Sequence, residues 1–280
     1  MKYKTLQIFN TVSFAAMVCI NALANLIPIG IGNTGAVSGK YPTLFTPAPY
    51  TFAIWGAIYF LLIFFILFQW GVFSTREETE ELLHEVGPAF AISCLFNIAW
   101  IFTWHYDVIV LSMFAIIGLL ISLISVSRRL GNVELRGIQI VTRAVFDIYI
   151  GWIAVAAMAN ISVFLVSISW TGLGLSDVFW TCTLLTVGAL IGAAFSYLKG
   201  SYLSTLAVMW AYVGILVRHM GTAGYAGDFP VIIGFAIGGL LLMLFTCVFS
   251  IVRNLRHAYD ADAQICEAYP CSAENRKDAV

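Results

Sequence analysis

Eight stretches of this chain are apolar over most of a membrane's width, and any fold must house all of them. A helix needs about 20 apolar residues to cross the hydrocarbon core. The stretches are Ile8–Ile29, Tyr50–Trp70, Gly87–Trp104, Val108–Ser127, Ala144–Ser169, Val178–Leu198, Tyr202–Val217 and Val231–Val252. The third and seventh are short, so their limits are soft. Spans of this length read as helices, because in lipid every backbone polar group must be bonded internally. The fold class predicted is all-α, a polytopic membrane bundle of about eight transmembrane helices. Only 10% of the 280 residues are charged, too few to cover a soluble protein of this size. That excludes a soluble enzyme and a disordered regulator. A net charge of −1 gives no global basic field, so nucleic acid is excluded as a partner. The lipid bilayer is the first partner implied.

Lysine and arginine placement sets the orientation. With the N-terminus inside, the inner segments hold Lys2, Lys4, Arg76, Arg128, Arg129, Arg136, Arg143, Lys199, Arg253, Arg256, Arg276 and Lys277, and the outer ones only Lys40 and Arg218. Both termini are therefore expected in the cytoplasm, with a bacterial inner membrane as the default location. A rival reading takes the basic Met1–Lys4 and Ala22-Leu23-Ala24 as a cleavable signal, leaving seven helices. Against it, the apolar stretch runs on through Pro28, and Asn21 and Asn25 make an unusual end to a signal core.

Two connections carry readable signals. Thr75-Arg76-Glu77-Glu78 matches a capping box and predicts a short interfacial helix through His84. The outer segment 28–49 holds four prolines and four glycines, which predicts a structured, non-helical cap.

Residues that could do chemistry are few. Asp147 is the one carboxylate within a span, a turn inside the fifth, and its spacing from Arg143 predicts an i,i+4 ion pair at the inner boundary rather than a proton relay. His105, Asp107, Asp177, Arg218, His219 and Asp228 fall at outer ends, and no chain of carboxylates crosses the bilayer. That argues against a proton- or sodium-driven pump. The intramembrane polar residues are amides instead: Asn21 and Asn25 on one face of the first span, Asn97 in the third, Asn160 in the fifth. Singly, each amide reads as glue between helices; four beside large aromatics suggest a polar-lined cavity. Trp70, Trp104, Trp170 and Trp180 stand at span ends, as an aromatic belt would. Trp55, Trp100, Trp152 and Trp210 lie further in. Gly188/Gly192 and Gly234/Gly238 are GxxxG pairs that allow close helix approach, within the chain or in a homodimer. The six cysteines match no common zinc or redox motif.

Three segments together resemble the tryptophan-rich sensory protein family, also called the translocator protein or peripheral benzodiazepine receptor family. They are the Pro-rich run from Phe45 through Pro47, Pro49 and Phe52 to Trp55 and Tyr59, the motif Asn97-Ile98-Ala99-Trp100, and the run from Tyr149 through Trp152 and Ala156 to Asn160. The resemblance covers roughly residues 8–170. The chain departs from it in a Phe52-to-Trp55 spacing one residue shorter and in three further spans. The division implied is a five-helix translocator-protein-like core (1–170), three added helices (171–252) and a polar cytoplasmic tail (253–280). The resemblance implies an integral membrane receptor or transporter-like protein, sensory or regulatory, whose pocket under the first loop binds a tetrapyrrole such as protoporphyrin IX or a similar amphipathic ligand. Matching positions make Trp55, Tyr59, Asn97, Trp100, Trp152, Ala156 and Asn160 the pocket, with Asn25, Pro47 and Phe52 beside them and Trp152 as its floor. No cofactor is required. Some members are reported to degrade porphyrin with light, but this sequence offers no general base, nucleophile or metal cluster, and no catalytic residue is assigned. The alternative is a secondary transporter or permease of another small solute, although no inverted repeat is evident.

Overall fold

A computed structural model describes residues 2–27, 30, 32, 34–130 and 138–268. Pro28 and Ile29, Arg136, and in the tail Cys271, Arg276 and Lys277 lie outside the described residues. Every regular element among the described residues is a helix. Helix α1 (Lys2–Leu26) is followed by the short α2 (Thr34–Lys40) and a 3-10 turn at Pro49–Ala53. Then come α3 (Ile54–Gln69), α4 (Arg76–Val86), α5 (Ala89–His105), α6 (Ile109–Leu130) and α7 (Ile138–Ser167). The last described elements are α8 (Asp177–Lys199), α9 (Tyr202–Met220) and α10 (Pro230–Ala268). Among the described residues, seven helices are long and apolar enough to cross a membrane, and α4 with α5, bent by 52°, can supply an eighth. The bend falls at Gly87, whose φ is +52°, followed by Pro88, which cannot continue a helix's hydrogen bonding.

The capping box at the start of α4 is present in full: Thr75 Oγ1 accepts from the Glu78 amide and Glu78 reaches back to the Thr75 amide. The 28–49 segment departs from expectation, because α2 is helical within it. Seven residues nucleate poorly alone; here Val37 and Ser38 are buried against the bundle and supply the missing stability. The eighth span was expected to end at Val252, yet α10 continues through Ala268. No glycine or proline interrupts 240–268, so helix propagation outlasts the apolar stretch.

Helix α7 runs through the centre and packs on α3, α6, α8 and α9. Its contact with α9 is very close: a Cβ on Gly151 would stand 2.3 Å from the Ser204 carbonyl oxygen. That packing overrides the Arg143–Asp147 ion pair, which is not formed among the described residues. Asp147 is buried facing α9, where Ser201 reaches its carboxylate and Ser204 donates to its carbonyl at 2.8 Å. The GxxxG glycines divide. Gly188 receives Tyr212 and Gly192 receives Met243, both within the chain, whereas Gly234 and Gly238 have open space in front of them.

Between the helices lies a layered interior. Asn21 Nδ2 donates to Asn97 Oδ1 (2.7 Å), and Asn97 Nδ2 donates to the Tyr149 hydroxyl (3.0 Å), tying α1, α5 and α7 together. On the N-terminal side of α1 from this bridge, Phe14, Phe65, Phe90 and Phe146 form a buried cluster with ring centroids 4.7–6.4 Å apart.

Candidate functional site

A cavity of about 40 Å³ lies between α3, α5 and α7 under the segment 34–52. Its walls are aromatic because three sequence patterns converge. On α5, Trp100 and Trp104 are four residues apart and therefore stack, 5.9 Å between centroids at 24°. On α3, Trp55 and Tyr59 do the same at 5.6 Å and 28°. Trp55 and Trp100 then stack across the helices at 5.6 Å, joining the two pairs into one ladder of four rings. Trp152 from α7 stands edge-on to Trp55 and to Phe52, both at 6.1 Å, the geometry that sets positive ring edges on negative faces.

The polar groups are few and unbalanced. Trp100 Nε1, Trp152 Nε1 and Asn160 Nδ2 have no hydrogen-bond partner among the described residues. Their residues are only 4%, 2% and 2% exposed. Asn160 uses its oxygen to accept from Ser112 at 3.3 Å, which leaves the amide nitrogen over. All three orphans are donors, and all three residues line the same cavity. A buried polar group left unpaired costs about 1–3 kcal/mol, and three such donors face one void.

The roof is fastened on two sides. Toward α5, Trp104 Nε1 donates to the Thr34 carbonyl (3.1 Å) and the Thr34 hydroxyl meets His105 Nε2 (3.2 Å). Next to them, Asp107 takes an ion pair from Lys40 and a hydrogen bond from the Tyr41 hydroxyl at 2.8 Å. Partial burial opposes the Asp107 charge, but the Lys40 and Tyr41 hydrogen bonds outweigh it and hold its carboxyl below the usual range. The same hydrogen bond raises the Lys40 ammonium above its ordinary value. Toward α9, Trp210 Nε1 donates to the Thr51 carbonyl (2.9 Å), the Ala48 amide to the Gly214 carbonyl (3.0 Å), and His219 Nε2 to the Leu44 carbonyl (2.8 Å). A carbonyl only accepts, so His219 carries its proton on Nε2.

Of the residues the sequence pointed to, Pro47, Phe52, Trp55, Trp100, Trp152, Ala156 and Asn160 line this one cavity. Tyr59 stands behind Trp55 at the far end of the ladder, and Asn97 is spent in the bridge to Asn21 and Tyr149. Asn25 does not reach the cavity; its amide donates to the Asn21 carbonyl on its own helix at 2.9 Å. Trp104 was read as belt and proves to be wall, with its face on Trp100 and its N–H inside the roof. Its i,i+4 spacing from Trp100 was the available signal. Ala159 and Val163 were also missed, although they continue the Trp152/Ala156 face of α7.

This geometry defines a class: a polytopic helical membrane protein with an aromatic chamber closed by its own first loop. A family model described as TSPO-like protein matches residues 7–249, most of the chain, and the chain belongs to that family. The match continues through α8, α9 and the membrane part of α10. No curated protein and no solved structure matches the chain. The family and the helical bundle make it an integral membrane protein of receptor or transporter type.

Proposed function

We propose that this protein binds a flat amphipathic ligand, a tetrapyrrole or a molecule of similar shape, in the cavity under the 34–52 roof. The observation that carries this reading is the trio of unpaired donors, Trp100 Nε1, Trp152 Nε1 and Asn160 Nδ2, set among stacked rings. The rings offer faces for a planar ligand, and the donors suit its carboxylate or carbonyl oxygens. Ala156 leaves room beside them. At about 40 Å³ the closed cavity holds only a few waters, which need roughly 10–15 Å³ each. Sites for drug-sized ligands run to about 300–1,000 Å³. Binding therefore requires the roof to swing away, and its attachments are mostly single hydrogen bonds. The bias of basic residues supports a bacterial inner membrane with both termini in the cytoplasm.

The test is quenching of tryptophan fluorescence by protoporphyrin IX in detergent. Wild type is expected to quench saturably with a micromolar or tighter Kd, about −8 kcal/mol or better. The double variant Trp55→Phe with Trp152→Phe is expected to bind more weakly. Non-saturable quenching of the wild type refutes the proposal.

A further inference from the structure

We infer that α9, from the last three helices, is the element that positions the roof of the cavity, with Gly214 as its contact point. This deepens the ligand-site reading above and rests on it for its meaning, although its test needs no ligand. Trp210, Gly214 and Arg218 follow one another at four-residue spacing and so form one stripe along α9. The roof segment lies along that stripe. Trp210 holds the Thr51 carbonyl, the Gly214 carbonyl holds the Ala48 amide, and Arg218 reaches the Pro47 carbonyl at 3.4 Å. Pro47 and Phe52, which border these attachments, are themselves walls of the cavity. The approach is too close for any side chain. A Cβ on Gly214 would stand 2.0 Å from Thr51 Oγ1, 2.9 Å from Thr51 Cγ2 and 3.0 Å from Pro47 Cβ. Thr51 is fully buried, and its hydroxyl has no partner among the described residues, so it fills space there rather than making a bond. The site is thus incomplete without α9. The walls on α3, α5 and α7 are preset, but the wall made by the roof takes its place from a helix more than 150 residues further along.

The experiment uses the full chain with Ala156→Cys as a reporter in the cavity. A charged, membrane-impermeant methanethiosulfonate reports how often the roof opens, with the parent chain measured alongside to subtract the native cysteines. Gly214→Ala is expected to label about 5- to 150-fold faster, the range typical of overpacking. Thr51→Ala removes the two nearest atoms, Oγ1 and Cγ2, and leaves Pro47 Cβ at 3.0 Å. Alone it should label like the parent, and combined with Gly214→Ala it should bring the rate most of the way back. A folded Gly214→Ala that labels at the parent rate overturns the inference, as does a double variant that stays as fast as the single. Trp210→Phe loses one hydrogen bond without a clash and should label about 2- to 10-fold faster. If Gly214→Ala does not fold, an unchanged Trp210→Phe overturns the inference in its place. Failure of protoporphyrin IX to bind would refute the ligand reading and leave these labelling rates standing.

Discussion

Replacing Asn97 by leucine should destabilise the protein in a way that a second substitution partly undoes. The Asn97 amide makes two hydrogen bonds between helices, to Asn21 at 2.7 Å and to Tyr149 at 3.0 Å, and the three side chains are 0–5% exposed. Interhelical hydrogen bonds in membrane proteins average roughly 0.6 kcal/mol each, so their loss amounts to about 1 kcal/mol. Asn21 Nδ2 keeps its bond to the Met17 carbonyl at 2.9 Å, but the Tyr149 hydroxyl is left buried and alone. That orphan adds about 1–3 kcal/mol. The expected total is about 2–4 kcal/mol, several degrees or more in the melting temperature of a chain this size. Tyr149→Phe in the Asn97→Leu background removes the orphan and should recover about 1 kcal/mol or more. The assay is thermal unfolding in detergent, run as a double-mutant cycle. If the two substitutions simply add, or if Asn97→Leu melts with the wild type, the bridge is not a unit and the reasoning fails.

Trp152→Phe removes one of the unpaired donors, so the empty protein should be as stable as wild type or slightly more so, while protoporphyrin IX affinity falls several-fold. Thermal shift and quenching on the same samples check the two halves. Gly151→Ala would put a methyl 2.3 Å from the Ser204 carbonyl oxygen and should cost about 1–3 kcal/mol by forcing α7 and α9 apart, measurable in the same melts. The Lys40–Asp107 clasp should show two pH limits. Asp107 has a lowered pKa, so its contribution is complete above about pH 4 and is lost as pH falls through the depressed value. Lys40 has a raised one, so its contribution is complete below about pH 10.5 and is lost as pH rises beyond that. Proteolytic nicking near Lys40 should stay flat between those limits and rise at low pH, and Asp107→Asn should nick readily throughout.

The apolar spans were legible because they depend on local spacing; the wall residues were reached through the family resemblance, with local spacing agreeing. Trp55 with Tyr59 and Trp152 with Ala156 share a face whatever the surroundings, and a long apolar run crosses a membrane in any fold. Element ends were less legible: α1 begins at Lys2 and α10 runs to Ala268 because hydropathy marks where lipid is, whereas only a breaker stops a helix. Asp147 was misread because an i,i+4 pair competes with tertiary packing, and the close approach at Gly151 turned that side chain toward Ser201. The role of α9 was hidden for a different reason. No spacing in one segment announces that Gly214 will meet Thr51, and the glycine means something only once the roof lies across it. His105 and His219 were read only as lying at span ends; both are fully buried and bonded to the roof.

The phenylalanine cluster beneath the amide bridge has a consequence for traffic. Phe14, Phe65, Phe90 and Phe146 pack ring against ring beneath the chamber, so the line that runs from the roof past the amide bridge is stopped by side chains among the described residues. Passage along that line would demand that four packed rings part together, a rearrangement of the core and not a loop movement.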